Sequence, residues 1–266
     1  MQYVPSTMKS TNLNPAFLGV FSRCSVRRIG PLPDVMAPAL AASTGIHIDD
    51  EGKCVFGKKS YWDTMYSSEK GIDGRSSERY SWYCTYEEFS PFWRMLVPGK
   101  ASRIMIAGIG NDPSPVAMYD DGYEDMLAFD YSEEGVERAK RLFGPGRDKA
   151  RLITADARDL PLPEASIDAT LDKGTLDAIY ITGEDVFVDT IKEITRVTAL
   201  DGILMCISSV ILADDLMAAF DDNYWKNVHD GNLAFAPDGE ATFDLGADLY
   251  SWKRTNVAFE EHKGTK

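Results

Sequence analysis

Between residues 101 and 208 short apolar runs recur at regular intervals, separated by longer mixed segments. The runs at 103–107 (Arg-Ile-Met-Ile-Ala), 126–129 (Met-Leu-Ala-Phe), 151–154 (Arg-Leu-Ile-Thr), 167–171 (Ile-Asp-Ala-Thr-Leu) and 202–208 predict five strands. The segments between them predict helices. One is opened by Pro113 and Pro115, and a second spans 133–143 with Ser132 as its N-cap. A third spans 185–197, with Val186, Ile191, Ile194 and Val197 at roughly helical intervals. Strands that alternate with helices predict an α/β fold with a doubly wound parallel sheet. After Asp221 the alternation stops. Residues 224–228 and 249–257 predict two further strands joined by a loop holding Pro237 and Gly239, an antiparallel pair closing one sheet edge.

Upstream of the sheet the pattern is different. Residues 58–93 hold Tyr61, Trp62, Tyr66, Tyr80, Trp82, Tyr83, Tyr86, Phe89, Phe92 and Trp93. A helix over 86–96 would place Phe89, Phe92 and Trp93 on one face. Such a face either packs on a sheet or covers a ligand, and packing is the expectation for most of these rings. Residues 1–48 contain one acid, Asp34, against Lys9, Arg23, Arg27 and Arg28. That composition fits an organelle transit peptide, or equally a tail without an address. The expected organisation is a tail over 1–48, an aromatic cap segment over 49–100 and the ligand-binding sheet domain over 101–260.

Length and composition narrow the function. The 266 residues suit one α/β domain with an appendage, and 44% hydrophobic with 26% charged residues is ordinary for a globular chain. A formal net charge of −14, with no basic run, argues against a nucleic-acid partner. It suits either plain solubility or a cationic partner. Cys24, Cys54, Cys84 and Cys206 form no C-x-x-C pair, and the histidines are His47, His229 and His262. Neither a metal site nor a disulfide framework can be read from them, so a reducing compartment, cytoplasmic or organellar, is the expectation. The apolar stretch at 203–213 is interrupted by Ser208 and Ser209 and is too short to span a bilayer.

Ligands of doubly wound sheets bind at the carboxyl ends of the strands. The first strand ends in Ala107-Gly108-Ile109-Gly110-Asn111-Asp112, where glycine lets the backbone turn sharply and approach a ligand. Two features oppose a nicotinamide dinucleotide. Pro113 replaces the third glycine of that fingerprint, and Asp112 would lie where a pyrophosphate sits. A ligand bearing a sulfonium and an ammonium meets no such penalty. Asp130 ends the second strand, 20 residues beyond Gly110, where an acid can accept ribose hydroxyls. Asp156 follows the third strand, where a carboxylate can accept an adenine amine while the Ala157 amide meets a ring nitrogen. The fourth strand runs into Asp172-Lys173-Gly174-Thr175-Leu176-Asp177, bordering the centre of the cleft.

That last stretch resembles the D/E-K-G-T-L-D segment of the eukaryotic lysine methyltransferases that act on elongation factor 1-alpha, and of their methyltransferase-like relatives. Residues 61–66 (Tyr-Trp-Asp-Thr-Met-Tyr) are similar to their Y-W-D-x-x-Y opening. Residues 80–83 (Tyr-Ser-Trp-Tyr) are similar to their F-E-W-Y/F segment. Gly108-Ile109-Gly110-Asn111 resembles their G-C-G-N, and Asp130-Tyr131-Ser132 their D-Y-S. The resemblance covers residues 61–180 in one consistent order. It implies a seven-stranded class I, Rossmann-like fold that binds S-adenosylmethionine (SAM) and releases S-adenosylhomocysteine. Gly108 and Gly110 would approach the methionyl part, Asp130 would hold the ribose and Asp156 with Ala157 the adenine, with Asn111 and Tyr131 also among the cofactor-binding residues. Trp62 and Tyr66 would close over the methionyl end, and Asp172 would border the acceptor pocket. Two segments depart from the family in ways that matter. Ser81 stands where it has glutamate, and Ile109-Gly110-Asn111-Asp112 replaces Cys-Gly-Asn-Ser.

Methyl transfer is an in-line displacement, so the protein mainly positions donor and acceptor and excludes water. An amine acceptor must also lose a proton, and Asp172 and Asp177 are the candidate bases. Asp177 reads equally as a helix N-terminal acid, and Lys173 as the partner of a neighbouring carboxylate. The resemblance implies a protein lysine as acceptor. A small thiol, thioether, amine or carboxylate is the alternative, since fold does not fix function. A SAM-binding regulator without catalysis is a third reading.

Overall fold

The computed structural model describes residues 54–68, 78–220, 223–235 and 247–255. The tail expected over 1–48 and the loop with Pro237 and Gly239 lie outside them, as does Val257. Two compact units divide the chain, Met1–Val55 and Phe56–Lys266. Of the first, Cys54 and Val55 are described.

The second unit is built on a seven-stranded sheet. Its strands are β1 (Ile104–Ala107), β2 (Met126–Asp130), β3 (Arg151–Thr154), β4 (Ile167–Lys173), β5 (Thr198–Ser208), β6 (Trp225–Phe235) and β7 (Ala247–Arg254). They lie in the order β3-β2-β1-β4-β5-β7-β6. Pairings among β1 to β5 are parallel. β7 runs antiparallel to both β5 and β6, as the broken alternation after Asp221 predicts. Every residue of β1 and β2 is buried, which explains their unbroken apolar runs; β3 is the edge and is partly exposed. β5 begins at Thr198, four residues before the predicted start, because Thr198 pairs with Ile167 across an irregular register at Asp168.

Helix α1 (Lys59–Ser67) precedes α2 (Tyr86–Leu96). Thr85 and Glu88 form a reciprocal capping box at the start of α2, and Phe89 and Trp93 are fully buried on its inner face. Pro91 lacks the N–H that would reach the Glu87 carbonyl, and the Ser90 hydroxyl donates to that carbonyl instead. α3 (Ser114–Asp120) links β1 to β2, and α4 (Glu133–Phe143) links β2 to β3. Ser132 caps α4 by accepting the Gly135 amide, and Gly144 ends it with a φ of 58°. α5 (Thr175–Thr182) and α6 (Glu184–Val197) lie between β4 and β5, and α7 (Ala213–Ala219) follows β5.

α1 and α7 were not foreseen from the pattern, and α5 was foreseen only through Asp177, which stands in its first turn as a helix N-terminal acid. Residues 175–182 (Thr-Leu-Asp-Ala-Ile-Tyr-Ile-Thr) are rich in strand-preferring side chains. They are helical because Gly174, at a φ of 82°, turns the chain sharply and the buried Asp172 carboxylate accepts the Leu176 amide.

Candidate active site

The chain's direction of winding reverses between β1 and β4, the switch point at which such sheets hold ligands. A cavity of about 290 Å³ opens there. Its base is the run from Gly108 to Asp112, its far side Phe129 to Tyr131 and Ala155 to Arg158. Phe56, Trp62, Tyr66, Trp82 and Tyr83 form an aromatic wall, and Lys173 to Thr175 with Asp177 border the middle.

The two glycines are spatial necessities. Gly108 has a φ of 59°, and a Cβ there would meet the Thr175 hydroxyl at 2.0 Å. Gly110 has a φ of 44°, and its Cβ would meet the Tyr66 hydroxyl at 2.3 Å. The Tyr66 ring also lies 3.0 Å from where a Cβ on Gly135 would stand. Glycine on two elements thus seats one tyrosine over the β1 turn.

Asp130 is buried, and its carboxylate accepts the Gly110 amide at 3.0 Å and the Ser132 amide at 2.8 Å. Burial nonetheless pushes its pKa up to about 6, against the pull of those two amides. Asn111 is buried, and its carbonyl accepts the Tyr80 amide. Tyr131 is 39% exposed with the Lys59 ammonium over its ring. Trp62 donates from its indole nitrogen to the Phe56 carbonyl at 2.7 Å. Asp156 and Ala157 reach the cavity, but the Asp156 carboxylate is paired with the Arg158 guanidinium at 2.6 Å, which lowers its pKa.

The two carboxylates of the fourth strand end separate. Asp172 is fully buried and is not among the residues lining the cavity. It accepts the Leu176 amide and the Cys206 thiol, and burial pushes its pKa up to about 7. Asp177 does line the cavity, yet its oxygens accept from the Tyr83 hydroxyl, the Ser208 hydroxyl and the amides of Ser209 and Ile211. Burial raises its pKa against these four donors. Lys173 pairs with a carboxylate, that of Asp112, at 2.9 Å.

Several lining residues carried no sequence signal as site residues. Val186 and Thr190 sit on α6 and Ile179 and Ile181 on α5, where helical spacing cannot distinguish a core face from a cavity face. Lys173 was visible as part of a motif, but its place between Asp112 and residues 81–84 was not. Among the described residues no group of three or more His, Cys, Asp or Glu side chains could hold a metal ion, and no helix is long and apolar enough to cross a membrane.

Comparison with known proteins bears on the fold and the domain. Residues 107–206 match the methyltransferase domain family. The eEF1A lysine and N-terminal methyltransferase of Mus musculus is 31% identical over 157 residues, covering 58% of this chain and 22% of that protein. The EEF1A lysine methyltransferase 4 of Bos taurus is 33% identical over 138 residues, covering 50% of this chain and 49% of the relative. The chain thus aligns with less than half the length of either relative. Among solved structures, the N-methyltransferase NodS from Bradyrhizobium japonicum, in complex with S-adenosyl-L-homocysteine, superposes with a TM-score of 0.54 at 11% identity. That match covers 73% of this chain and 97% of NodS, and the fold they share is the class I fold of SAM-dependent methyltransferases.

Proposed function

We propose that this chain, which carries a methyltransferase domain on a class I fold, is a SAM-dependent methyltransferase whose acceptor is a lysine of a protein. The observation that carries the cofactor assignment is the Gly110–Asp130 contact at the switch point: a turn no side chain can enter, bonded to a buried acid one strand away. The cavity, at about 290 Å³, lies at the small end of the roughly 300–1,000 Å³ range of ligand sites. An acceptor presented from outside, on another macromolecule, suits that volume. Ser81, where the resembled family has glutamate, does not itself line the cavity.

SAM supplies an electrophilic methyl group on a sulfonium. The chain's part is to orient and to exclude water. Gly108 and Gly110 admit the methionyl part close to the backbone, and Asp130 has lone pairs for ribose hydroxyls. Ala157 offers its amide to the adenine, and Asp156 shares its carboxylate between Arg158 and the adenine amine. Trp62 and Tyr66 cover the methionyl end. Asp177 already accepts four hydrogen bonds, so the acceptor amine loses its proton to solvent, and the apolar wall favours its neutral form. A small-molecule acceptor is the second reading, favoured by the wall of Phe56, Trp62, Trp82 and Tyr83, which could enclose an apolar metabolite.

Calorimetric titration with SAM tests the cofactor site. Saturable binding is expected, reduced about tenfold or more in Asp130→Ala through loss of charged hydrogen bonds, with no binding of NADH. A folded sample that ignores SAM would refute the assignment. Methyl-labelled SAM added to protein and metabolite extracts then separates the acceptors: label on protein lysine supports the first reading, label on small molecules the second.

A further inference from the structure

The least expected feature of the cavity is a buried ion pair that reaches it beside the aromatic wall. Lys173, at the end of β4, has a side chain 4% exposed, and its ammonium lies 2.9 Å from the Asp112 carboxylate. The same ammonium donates to the Trp82 carbonyl at 2.8 Å and the Cys84 carbonyl at 3.0 Å, one residue to either side of Tyr83. Tyr83 is one of the few non-glycine residues here in the left-handed region, with a φ of 63°. Such a backbone persists only where its surroundings hold it. The two carbonyls drawn to one ammonium are that restraint, and at its other end the Tyr83 hydroxyl donates to Asp177 at 2.6 Å. Gly174, beside Lys173, leaves room for the ring: a Cβ there would lie 3.0 Å from it.

Ser81 completes the node. It lies within hydrogen-bond distance of Lys173 at 2.8 Å, of Asp112 at 3.0 Å and of Ser114 at 3.2 Å. Positions 81 and 112 are therefore neighbours around one cation, though 31 residues apart in sequence. Both are among the positions at which this chain departs from the family it resembles: Ser81 for glutamate, and Asp112 for serine. Around Lys173 the carboxylate comes from position 112 and the hydroxyl from position 81.

We propose that Asp112 and Lys173 are a positioning pair that holds Trp82 and Tyr83 as the wall of the cavity, and that a carboxylate placed at position 81 serves this ammonium as well as the one Asp112 supplies from the turn after β1. A buried ammonium needs a carboxylate, because an unpaired charge out of water is costly, but the segment that delivers it is interchangeable. Asp112 thus acts through Lys173 on residues 81–84. Its importance to the cavity rests on the SAM-site reading above, whereas its hold on the wall does not.

The test compares the wild type with Asp112→Asn, Asp112→Ser and the reciprocal exchange Ser81→Glu/Asp112→Ser. Hydrogen exchange of the peptide spanning residues 80–85, thermal midpoint and SAM affinity are measured for each. Asp112→Asn is expected to speed exchange in 80–85 and weaken SAM binding by about tenfold each, since it strips the buried ammonium of its counter-charge. The reciprocal exchange is expected to return both to within about twofold of wild type, because it restores the pair. If Asp112 instead contacts the cofactor directly, the exchange variant binds SAM as poorly as Asp112→Ser, and the proposal fails. Unchanged exchange of 80–85 in Asp112→Asn would overturn it equally. Should Asp112→Ser not fold, the exchange variant and Asp112→Asn decide alone. A wild type that does not bind SAM would count against the cofactor reading, while the 80–85 exchange would still judge the positioning pair.

Discussion

At the scale of single residues, the site is governed by space and by burial of charge. Gly110 combines a φ of 44° with a Tyr66 hydroxyl 2.3 Å from where its Cβ would stand. Gly110→Ala should therefore push Tyr66 out of its seat, cost about 1–3 kcal/mol from backbone strain, and weaken SAM binding more than it lowers stability. Parallel denaturant titration and calorimetry check the split; equal loss in both would mean that the glycine serves only the fold. Asp172 makes a prediction in pH. Its pKa in the folded protein is raised from the ordinary 3.8 to about 7 by burial, so between those values the folded state holds a proton that the unfolded chain releases. Stability must then rise as the pH falls through this window, and the unfavourable ionised form is fully present above it. Asp130, raised to about 6, adds in the same direction. The thermal midpoint of Asp172→Asn should be flatter than that of the wild type between about pH 8 and 5, because the titrating group is gone. An unchanged slope would show that Asp172 is not the group responsible.

At the scale of elements, α1 shows how a segment without strong propensity becomes a helix. Its N-cap residue, Lys58, makes no side-chain capping bond. What holds it is α4. The Ser132 hydroxyl donates to Asp63 at 2.7 Å, and Arg138 donates from Nε to the Tyr66 carbonyl at 2.6 Å. Ser132 has two duties, since it also accepts the Gly135 amide as N-cap of α4. Ser132→Ala should cost about 1–2 kcal/mol of stability, at the upper part of the range for losing a cap. Because α1 carries Trp62 and Tyr66 to the cavity, the same change should weaken SAM binding; chemical denaturation and calorimetry on one preparation measure both. An Asp63→Ala variant separates the duties, since it removes the acceptor of the docking bond and keeps the cap.

At the scale of the whole molecule, the consequences are linkage and long-range charge. SAM that binds the folded chain alone should stabilise it by about 2.7 kcal/mol at roughly a hundredfold excess over Kd. The thermal midpoint should climb with SAM and stay level with NADH. The net charge of −14 bears on the acceptor. A basic protein segment would be drawn to this surface, so its KM should rise with salt as screening lengths fall from roughly 10 Å at 0.1 M to 3 Å at 1 M. Methylation assays across that range, with SAM saturating, would read it. A KM insensitive to salt favours a small neutral acceptor.

The sequence by itself determined the alternating core. β1 to β4 and the helices at 86–96 and 133–143 fell where apolar periodicity and capping residues put them, because strand burial, complete in β1 and β2, and a capping threonine or serine are local demands written in consecutive residues. It also marked the turn at Gly108 and Gly110 and the acid at Asp130, since their separation by strand, turn and helix follows from the fold class. The tertiary structure decided what depends on residues far apart in the chain. It made a helix of residues 175–182 by lending them the Asp172 carboxylate, and docked α1 through Ser132 and Arg138. It also sent Asp172 beneath the cavity and engaged Asp177 with Tyr83 and Ser208, although the two acids stand five residues apart in one motif. Spacing along a chain fixes which face a side chain leaves from, but the partner it meets is set by elements that arrive from elsewhere. Ser81, Asp112 and Lys173, from three separate segments, show the limit best: each is legible alone, and only the fold makes them one charge pair and its hydroxyl.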